Sequence, residues 1–384
     1  MTTAVTPDQA DDLMWMRRAL SLAEGVLYTT TPNPRVGCVI VQGGRLIGEG
    51  ATQPVGGPHA EVMALRDAQA RGESVAGATV YVTLEPCSHY GRTPPCVDAL
   101  VAAAPARVVI AMGDPNPQVN GQGLARLSAA GIAVTAGVAL DDALALNIGF
   151  IARMHRGTPW MWLKMAASLD GRSALPNGVS QWITGPDARA DGHHWRARSC
   201  AVLTGIGTVL ADDPQMTVRA VGTPRQPRKI LLDSRFEVPL NARLLDGAPT
   251  WIFTAREDPA KAAVLADRGI EVICLPDAAG KVDLDAMMQW LGRHEINEVH
   301  AEAGEKLNGS LLRTGCVDEL LLYLAPMLLG EGAGMAKLPV LTGLDQAQRY
   351  RYADVRQLGD DLRVRAQVEA RWQALRKAVE VPAD

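Results

Sequence analysis

Apolar positions along this chain recur at two periods, and the switches between them mark out its elements. Leu13, Met16, Leu20, Ala23 and Leu27 share one helical face behind Thr6-Pro7-Asp8-Gln9, a capping-box start with proline at the first helical position. That face predicts packing on a sheet. Residues 36–41 are an apolar run of strand length, and Gly43-Gly44 suits a hairpin turn into a partner strand over 45–50. Helical spacing returns through Glu61, Val62, Ala64, Leu65 and Ala68, which places His59 and Glu61 in a first helical turn. Residues 78–84 read as a buried strand, Pro94-Pro95-Cys96 opens a helix to about 104, and 107–112 form the next strand. A hairpin followed by helix, strand, helix, strand, helix and strand predicts a three-layer α/β/α domain.

An alanine-rich helix over 142–151 gives way to His155-Arg156-Gly157-Thr158-Pro159. The domain boundary is expected there, with 1–152 in the first domain and 153–384 in the second. The second opens on an apolar strand, 160–166, whose one charge, Lys164, reads locally as a lysine snorkelling from a strand edge. Residues 168–184 are too rich in Gly, Asp and Asn to be an element, and long loops of this kind are usually functional. A helix starting at Gly185-Pro186 carries His193, His194, Arg196 and Arg198. Further strands are expected over 229–233, 250–254, 270–274, 297–303 and 317–325, with helices near 259–268 and 283–293. Three glycine turns follow strands, at 205–208, 304–310 and 330–334. Such turns suit phosphate groups and point to a nucleotide cofactor, although the Rossmann glycine spacing is absent.

At 384 residues the chain exceeds what one hydrophobic core usually serves, in keeping with two domains. A net charge of −4 offers no general attraction for nucleic acid. The six cysteines are too widely spread for a small disulfide scaffold, and thiols kept reduced for metal binding fit the cytoplasm. No apolar run reaches the length of a membrane helix, and the polar start lacks the regions of a signal peptide.

His59-Ala60-Glu61 and the stretch from Glu85-Pro86-Cys87 to Pro95-Cys96 gain meaning together. One histidine and two cysteines give Zn²⁺ three N/S ligands and leave the fourth tetrahedral position for a water, which ionises near neutral pH. Glu61 is not needed as a ligand and can shuttle protons between that water and a leaving amine. Zinc nucleobase deaminases carry H-x-E with a later P-C-x-x-C; here eight residues separate Cys87 from Cys96. A four-ligand structural zinc site is the rival reading, with only His89 as a fourth donor. His300-Ala301-Glu302 repeats the triplet, but it ends a strand and lacks a Pro-Cys partner, so no second zinc site is expected. Asn33, between two prolines, reads locally as a turn residue.

His59-Ala60-Glu61, the PCSHYGRTPPC stretch at 86–96 and Thr31-Pro32-Asn33-Pro34-x-Val36-Gly37 resemble the bifunctional deaminase-reductase family of riboflavin biosynthesis, within the cytidine deaminase superfamily. The second half resembles the reductase half of that family at 164–171, 180–184, 208–214, 232–234 and 302–304. The resemblance implies an α/β chain with a cytidine-deaminase-like three-layer domain followed by a dihydrofolate-reductase-like domain. It implies Zn²⁺ on His59, Cys87 and Cys96, and a first substrate pocket lined by Asn33, His89 and Arg92. It implies NADPH contacts from Ala166, Trp182, Thr208, Asp212 and Ser234, and from the turn Gly304, Glu305, Lys306, Leu307, Asn308, Gly309 and Ser310. Ser180, Arg196, Met216, Arg219 and Glu302 would hold the substrate, with Lys164 as an electrostatic or proton-donating helper. The implied reactions are deamination of a diaminopyrimidinone ribosyl 5′-phosphate and then NADPH-dependent reduction of its ribosyl group. The partner is thus a small molecule rather than nucleic acid or membrane, and a homo-oligomer is left open. An RNA base editor is the rival from another class, disfavoured by an aromatic content of 4% and the acidic balance. A third reading makes the second half a nucleotide sensor without chemistry.

Overall fold

The structure is a computed structural model that describes residues 7–90, 94–117 and 119–381. Thr6 of the expected cap and Arg92 of the expected pocket lie outside these. The chain divides into two compact units, residues up to Arg156 together with those from Gln373 onward, and Gly157–Trp372. The expected division placed the whole C-terminal end in the second domain. Instead the last helix meets the first unit's own residues: Gly113 N–H donates to the Val379 carbonyl at 2.9 Å, and Arg376 pairs with Asp141 at 2.8 Å. No described helix is long and apolar enough to cross a membrane.

The first unit runs α1 (Pro7–Gly25), β1 (Gly37–Gln42), β2 (Arg45–Ala51), α2 (Ala60–Ala70), β3 (Thr79–Val82), α3 (Cys96–Ala103), β4 (Arg107–Ile110), α4 (Gln122–Ala129), β5 (Ala133–Thr135) and α5 (Leu140–Arg156). Its sheet has the order β2-β1-β3-β4-β5. β1 is antiparallel to β2 and β3, and the remaining pairs are parallel. α1 buries Asp12, Met16, Ala19 and Ala23, a stripe offset from the expected one. The offset has a polar cause: Asp12 is drawn in by Arg107 at 2.7 Å and the Tyr81 hydroxyl at 3.0 Å. α2 lies directly on β2, where glycine makes room for it. A Cβ at Gly48 would stand 2.5 Å from the Ala64 carbonyl oxygen, and one at Gly50 would stand 2.5 Å from Met63 Cβ.

The second unit contains β6 (Trp160–Ser168), β7 (Arg172–Ala174), α6 (Pro186–Arg198), β8 (Ala201–Gly205), α7 (Ile206–Asp212), β9 (Arg228–Leu232), β10 (Thr250–Thr254), α8 (Pro259–Ala266), β11 (Glu271–Cys274), α9 (Leu284–Arg293), β12 (Glu298–Glu302), α10 (Glu305–Arg313), β13 (Glu319–Ala325), β14 (Ala333–Gly334), β15 (Arg351–Leu358) and β16 (Asp361–Gln367). α11 (Glu369–Val379) closes the chain's described elements. Nine strands form one sheet, β11-β10-β9-β8-β12-β6-β13-β16-β15, parallel as far as β13 and antiparallel beyond it. β6 is therefore central rather than an edge, which removes the snorkelling reading of Lys164. The expected loop 168–184 contains β7, which pairs only with the two-residue β14.

Alternation sorts the sheet's residues onto two faces. Met161, Leu163, Met165, Ala201, Leu203, Val299 and Ala301 join one core with residues of α9 and α10. Val202, Leu231 and Ile252 join a second core on the opposite face with Val209 and Leu265. Lys164 and Glu302 are register partners on β6 and β12. Chain order reverses around them, since β12 enters between β6 and β8, and such switch points are where α/β sheets bind ligands.

Candidate active sites

In the first unit, His59 caps α2 with extended backbone (φ −76°, ψ 168°), and Glu61 follows in the first turn. Cys96 opens α3. Cys87 sits just beyond β3, where the chain is anchored by Glu85. The buried Glu85 carboxylate accepts Gly121 N–H and Gly123 N–H, each at 3.0 Å, tying the stretch before Cys87 to the start of α4. Arg126 of α4 donates to the Ser88 carbonyl at 3.1 Å and pairs with Asp98 of α3. These bonds fix both ends of the eight-residue stretch between the cysteines.

The result is convergence. His59 Nδ1 lies 3.6 Å from Cys87 Sγ and 3.3 Å from Cys96 Sγ, and the three donor atoms lie within 4.8 Å of one another. Tetrahedral zinc, with bonds of about 2.3 Å to sulfur and about 2.0–2.1 Å to nitrogen, requires neighbouring S and N about 3.5 Å apart. The residues fit the metal. Charge argues the same way. The Cys96 thiol hydrogen-bonds to Cys87 and pulls it down to about 4, while Cys96 itself is pushed up. A divalent ion between the two sulfurs would favour both thiolates. Glu61 is buried against Cys96, and burial, then the Cys87 charge, push its carboxyl up to about 7.

Asn33 lies in the half-buried turn before β1. The Thr83 N–H bond to the Gly37 carbonyl, at 3.1 Å, brings the start of β1 to the end of β3 from which Cys87 emerges. His89 is half-buried, and its Nδ1 has no hydrogen-bond partner among the described residues. The repeat His300-Ala301-Glu302 gathers no cysteine. His300 is fully buried with Nε2 at 3.1 Å from Glu302 Oε1.

The second unit holds a cavity of about 660 Å³ at the switch point. The ends of β6 and β12, the 180–184 loop, α7 and the start of α10 line it. Of the sequence-predicted residues, Lys164, Ala166, Ser180, Trp182, Arg196, Thr208, Asp212, Met216, Arg219, Glu302, Gly304, Glu305 and Asn308 come together on its wall. Five do not line it. Ser234 Oγ accepts Val282 N–H at 3.1 Å, and Leu307 packs into the core against Gly205. Gly309 faces the Lys337 carbonyl, and the Ser310 hydroxyl bonds back to the Lys306 carbonyl at 3.1 Å.

Arg196 forks onto Glu302, with Nη2 to Oε2 at 2.8 Å and Nε to Oε1. Burial opposes the charge on Glu302, but Arg196 outweighs it and holds the carboxyl well below its ordinary range. Lys164, alongside, is lowered by burial while Glu302 opposes that shift, and its Nζ stands 5.8 Å from the Tyr323 ring centre. Asn308 fits a polar ligand: its Nδ2 donates to the Met335 carbonyl at 2.8 Å, and its buried Oδ1 has no partner among the described residues. With the α10 N-terminus and four arginines (189, 196, 219, 243) on the wall, the residues present suit a phosphate-bearing cofactor. Sequence reading missed Thr184, Arg189 and Arg243. Arg189 carried one usable signal, a cation one turn into the helix behind the loop. Its Nη1 donates to the Thr184 carbonyl at 2.6 Å, and its guanidinium lies 4.6 Å from the Trp182 ring centre.

Known proteins resemble both units. The family model for the cytidine and deoxycytidylate deaminase zinc-binding region matches residues 9–112, and that for the RibD C-terminal domain matches 159–364. The riboflavin biosynthesis protein RibD of Escherichia coli K12 is 47% identical over 365 residues, covering 91% of this chain and 98% of its own. Its counterpart in Haemophilus influenzae is 44% identical over 369 residues, covering 92% and 97%. Among solved structures, Acinetobacter baumannii RibD matches with a TM-score of 0.85 at 44% identity, covering 94% of this chain and 99% of that one. The Thermotoga maritima diaminohydroxyphosphoribosylaminopyrimidine deaminase/5-amino-6-(5-phosphoribosylamino)uracil reductase matches at 0.84 and 31% identity, with the same coverage.

Proposed function

The chain belongs to the RibD family of riboflavin biosynthesis, and on that premise we infer that its two units act in turn on one pyrimidine ribosyl phosphate. The first, cytidine-deaminase-like, hydrolyses the amine from C2 of 2,5-diamino-6-ribosylamino-4(3H)-pyrimidinone 5′-phosphate. The second, a RibD-type reductase domain, reduces the ribosyl group to give 5-amino-6-ribitylamino-uracil 5′-phosphate. The observation that carries the reading is the meeting of His59, Cys87 and Cys96 beside the buried Glu61.

A Zn²⁺ held by His59, Cys87 and Cys96 supplies Lewis acidity and an acidified water. Glu61 takes the water's proton and passes it to the nitrogen that leaves as ammonia, so the C2–N bond breaks as a carbonyl forms. Burial keeps that carboxyl out of bulk solvent, where its proton would be lost. Asn33, His89 and Arg92 orient the substrate, the last two toward its phosphate.

NADPH bound in the second cavity would supply the hydride for reduction of the ribosyl group at C1′. Ala166, Trp182, Thr208, Asp212, Gly304, Glu305 and Asn308 would hold the cofactor; Ser234, Lys306, Leu307, Gly309 and Ser310, off the cavity wall, are left out of that set. Ser180, Arg196, Met216, Arg219 and Glu302 hold the substrate. Because Glu302 neutralises Arg196, the positive charge of the wall toward a phosphate comes from Arg189, Arg219, Arg243 and Lys164. Lys164, on the cavity wall beside Glu302, serves as the electrostatic or proton-donating helper of the reduction. None of the six cysteines is in a disulfide, which favours a reducing compartment and hence the cytoplasm.

The test is a coupled assay on zinc-loaded protein that follows ammonia release and NADPH oxidation separately. Glu61→Gln should keep zinc and lower ammonia release by about 10²–10⁴-fold, while pre-deaminated substrate is still reduced. Full ammonia release by that variant would refute the role of Glu61. Ammonia without NADPH oxidation in the wild type would leave the second unit a binding module.

A further inference from the structure

The Ser168-Leu169-Asp170-Gly171 stretch and the glycine turn at 330–334 stood out in the sequence, and neither is explained by the ligands assigned above. The structure joins them. Asp170 Oδ1 accepts the Ser168 hydroxyl at 2.5 Å and Leu329 N–H at 3.1 Å, and Oδ2 accepts Gly330 N–H at 2.8 Å. Arg172 Nε returns a bond to the Gly330 carbonyl at 2.9 Å. The turn expected to cradle a phosphate thus spends the Gly330 amide on the protein's own carboxylate. An anion already occupies the position a ligand anion would take.

What the clamp holds is one wall of the second cavity. Beyond it, β14 pairs with β7 so that Ala333 stands opposite Ala174, and the Ser173 hydroxyl donates to the Gly334 carbonyl at 2.9 Å. Contact here is close enough that a Cβ at Gly332 would stand 2.2 Å from the Ala174 carbonyl oxygen. The segment's far end is tied to α10, with Lys337 N–H on the Glu305 carbonyl at 2.8 Å. Ser173, Ala174, Ala333 and Met335 all line the cavity, whereas Asp170 does not.

We propose that Asp170, braced by Ser168 and Arg172, is a positioning residue of the reductase site: it hangs the 329–335 segment against β7, so that Ala333 and Met335 form a fixed wall for the bound cofactor or substrate. This rests on the reductase reading of the second unit. A carboxylate that accepts two backbone N–H groups binds them more strongly than a neutral acceptor does. Asparagine would keep one acceptor oxygen, and alanine none.

The experiment compares wild type, Asp170→Asn and Asp170→Ala by amide hydrogen exchange over 327–337, and by kcat and KM for NADPH and for the deaminated substrate. Exchange at Leu329 and Gly330 should quicken about tenfold or more in Asp170→Ala and less in Asp170→Asn. KM for at least one ligand should rise about fivefold or more, with kcat changed less and ammonia release unchanged. Unchanged exchange overturns the clamp. Faster exchange with both KM values unaltered, or a fall in folded fraction alone, reduces Asp170 to a structural residue. If the wild type oxidises no NADPH, the reductase reading has failed, and exchange alone decides whether the clamp exists.

Discussion

Gly50→Ala tests whether the site in the first unit depends on how closely α2 lies on β2. A methyl at that position would stand 2.5 Å from Met63 Cβ, 2.6 Å from Ala64 N and 2.8 Å from the Met63 carbonyl carbon. Two of these are helix backbone and cannot swing aside. Carbon atoms pack best at about 3.5–4.0 Å, so the helix must withdraw by roughly 1 Å. His59 caps that helix and Glu61 occupies its first turn, so both move against the cysteines, which hang from β3 and α3. Overpacking of this size costs about 1–3 kcal/mol. Metal sites tolerate only about 0.2 Å, and a misplacement of about 1 Å costs about 10²-fold in rate. The assay is zinc stoichiometry together with ammonia release, with NADPH oxidation on pre-deaminated substrate as the internal control. Gly25→Ala, which meets nothing within 4 Å, is the matched control. Full zinc and ammonia release within about twofold of wild type would refute the claim that this close approach sets the site.

Two further outcomes follow from the second unit. Glu302→Gln leaves Arg196 without its counter-charge in a largely buried pair, so stability should fall by about 3–5 kcal/mol and NADPH oxidation by about a hundredfold or more, with ammonia release intact; unaltered kinetics would separate that pair from catalysis. The Asp170 carboxyl is pulled down to about 2 by the Ser168 hydroxyl and the Leu329 and Gly330 amides. A lowered carboxyl adds stability in full above its unfolded value near 4 and loses it as pH falls toward 2. Urea midpoints of wild type should therefore drop between about pH 4 and pH 2 by more than those of Asp170→Asn. Parallel profiles would show that the bonds carry no stability.

The chemistry of the first unit was legible because it is local at each end: H-x-E opens a helix, and the cysteines sit where proline forces the chain out of a strand and into a helix. What the residues alone left open was the joint. Glu85, which ties the stretch before Cys87 to 121–123, looks in sequence like any acid before a proline. In the second unit the parallel strands were legible as apolar runs, but β15 and β16 were not. Arg351, Arg356, Arg363 and Arg365 interrupt them, and only the folded chain supplies their carboxylates, as with Arg363 on Asp354 at 2.6 Å and Arg365 on Glu319 at 2.6 Å. β7 and β14 were invisible for a different reason. Each is too short to show a period, and they pair across more than a hundred residues of chain. The same distance hid the role of Asp170, whose motif was plain but whose partners at 329 and 330 are not neighbours in sequence. Lys164 was misread because one charge in an apolar strand cannot reveal whether that strand is an edge.

The insertion of β12 between β6 and β8 also sets the order in which the second unit can be made. A chain leaving the ribosome delivers β6 and then β8 to β11. Until Glu302 has emerged, those strands form two fragments whose facing edges lack the strand that will join them. Such open edges recruit other chains, and pairings this distant in sequence form slowly. The strand that closes the gap also brings Glu302 beside Lys164. For this half of the molecule, joining the two fragments and bringing Glu302 beside Lys164 are one event, and a nascent chain halted before it carries open edges and an incomplete active site.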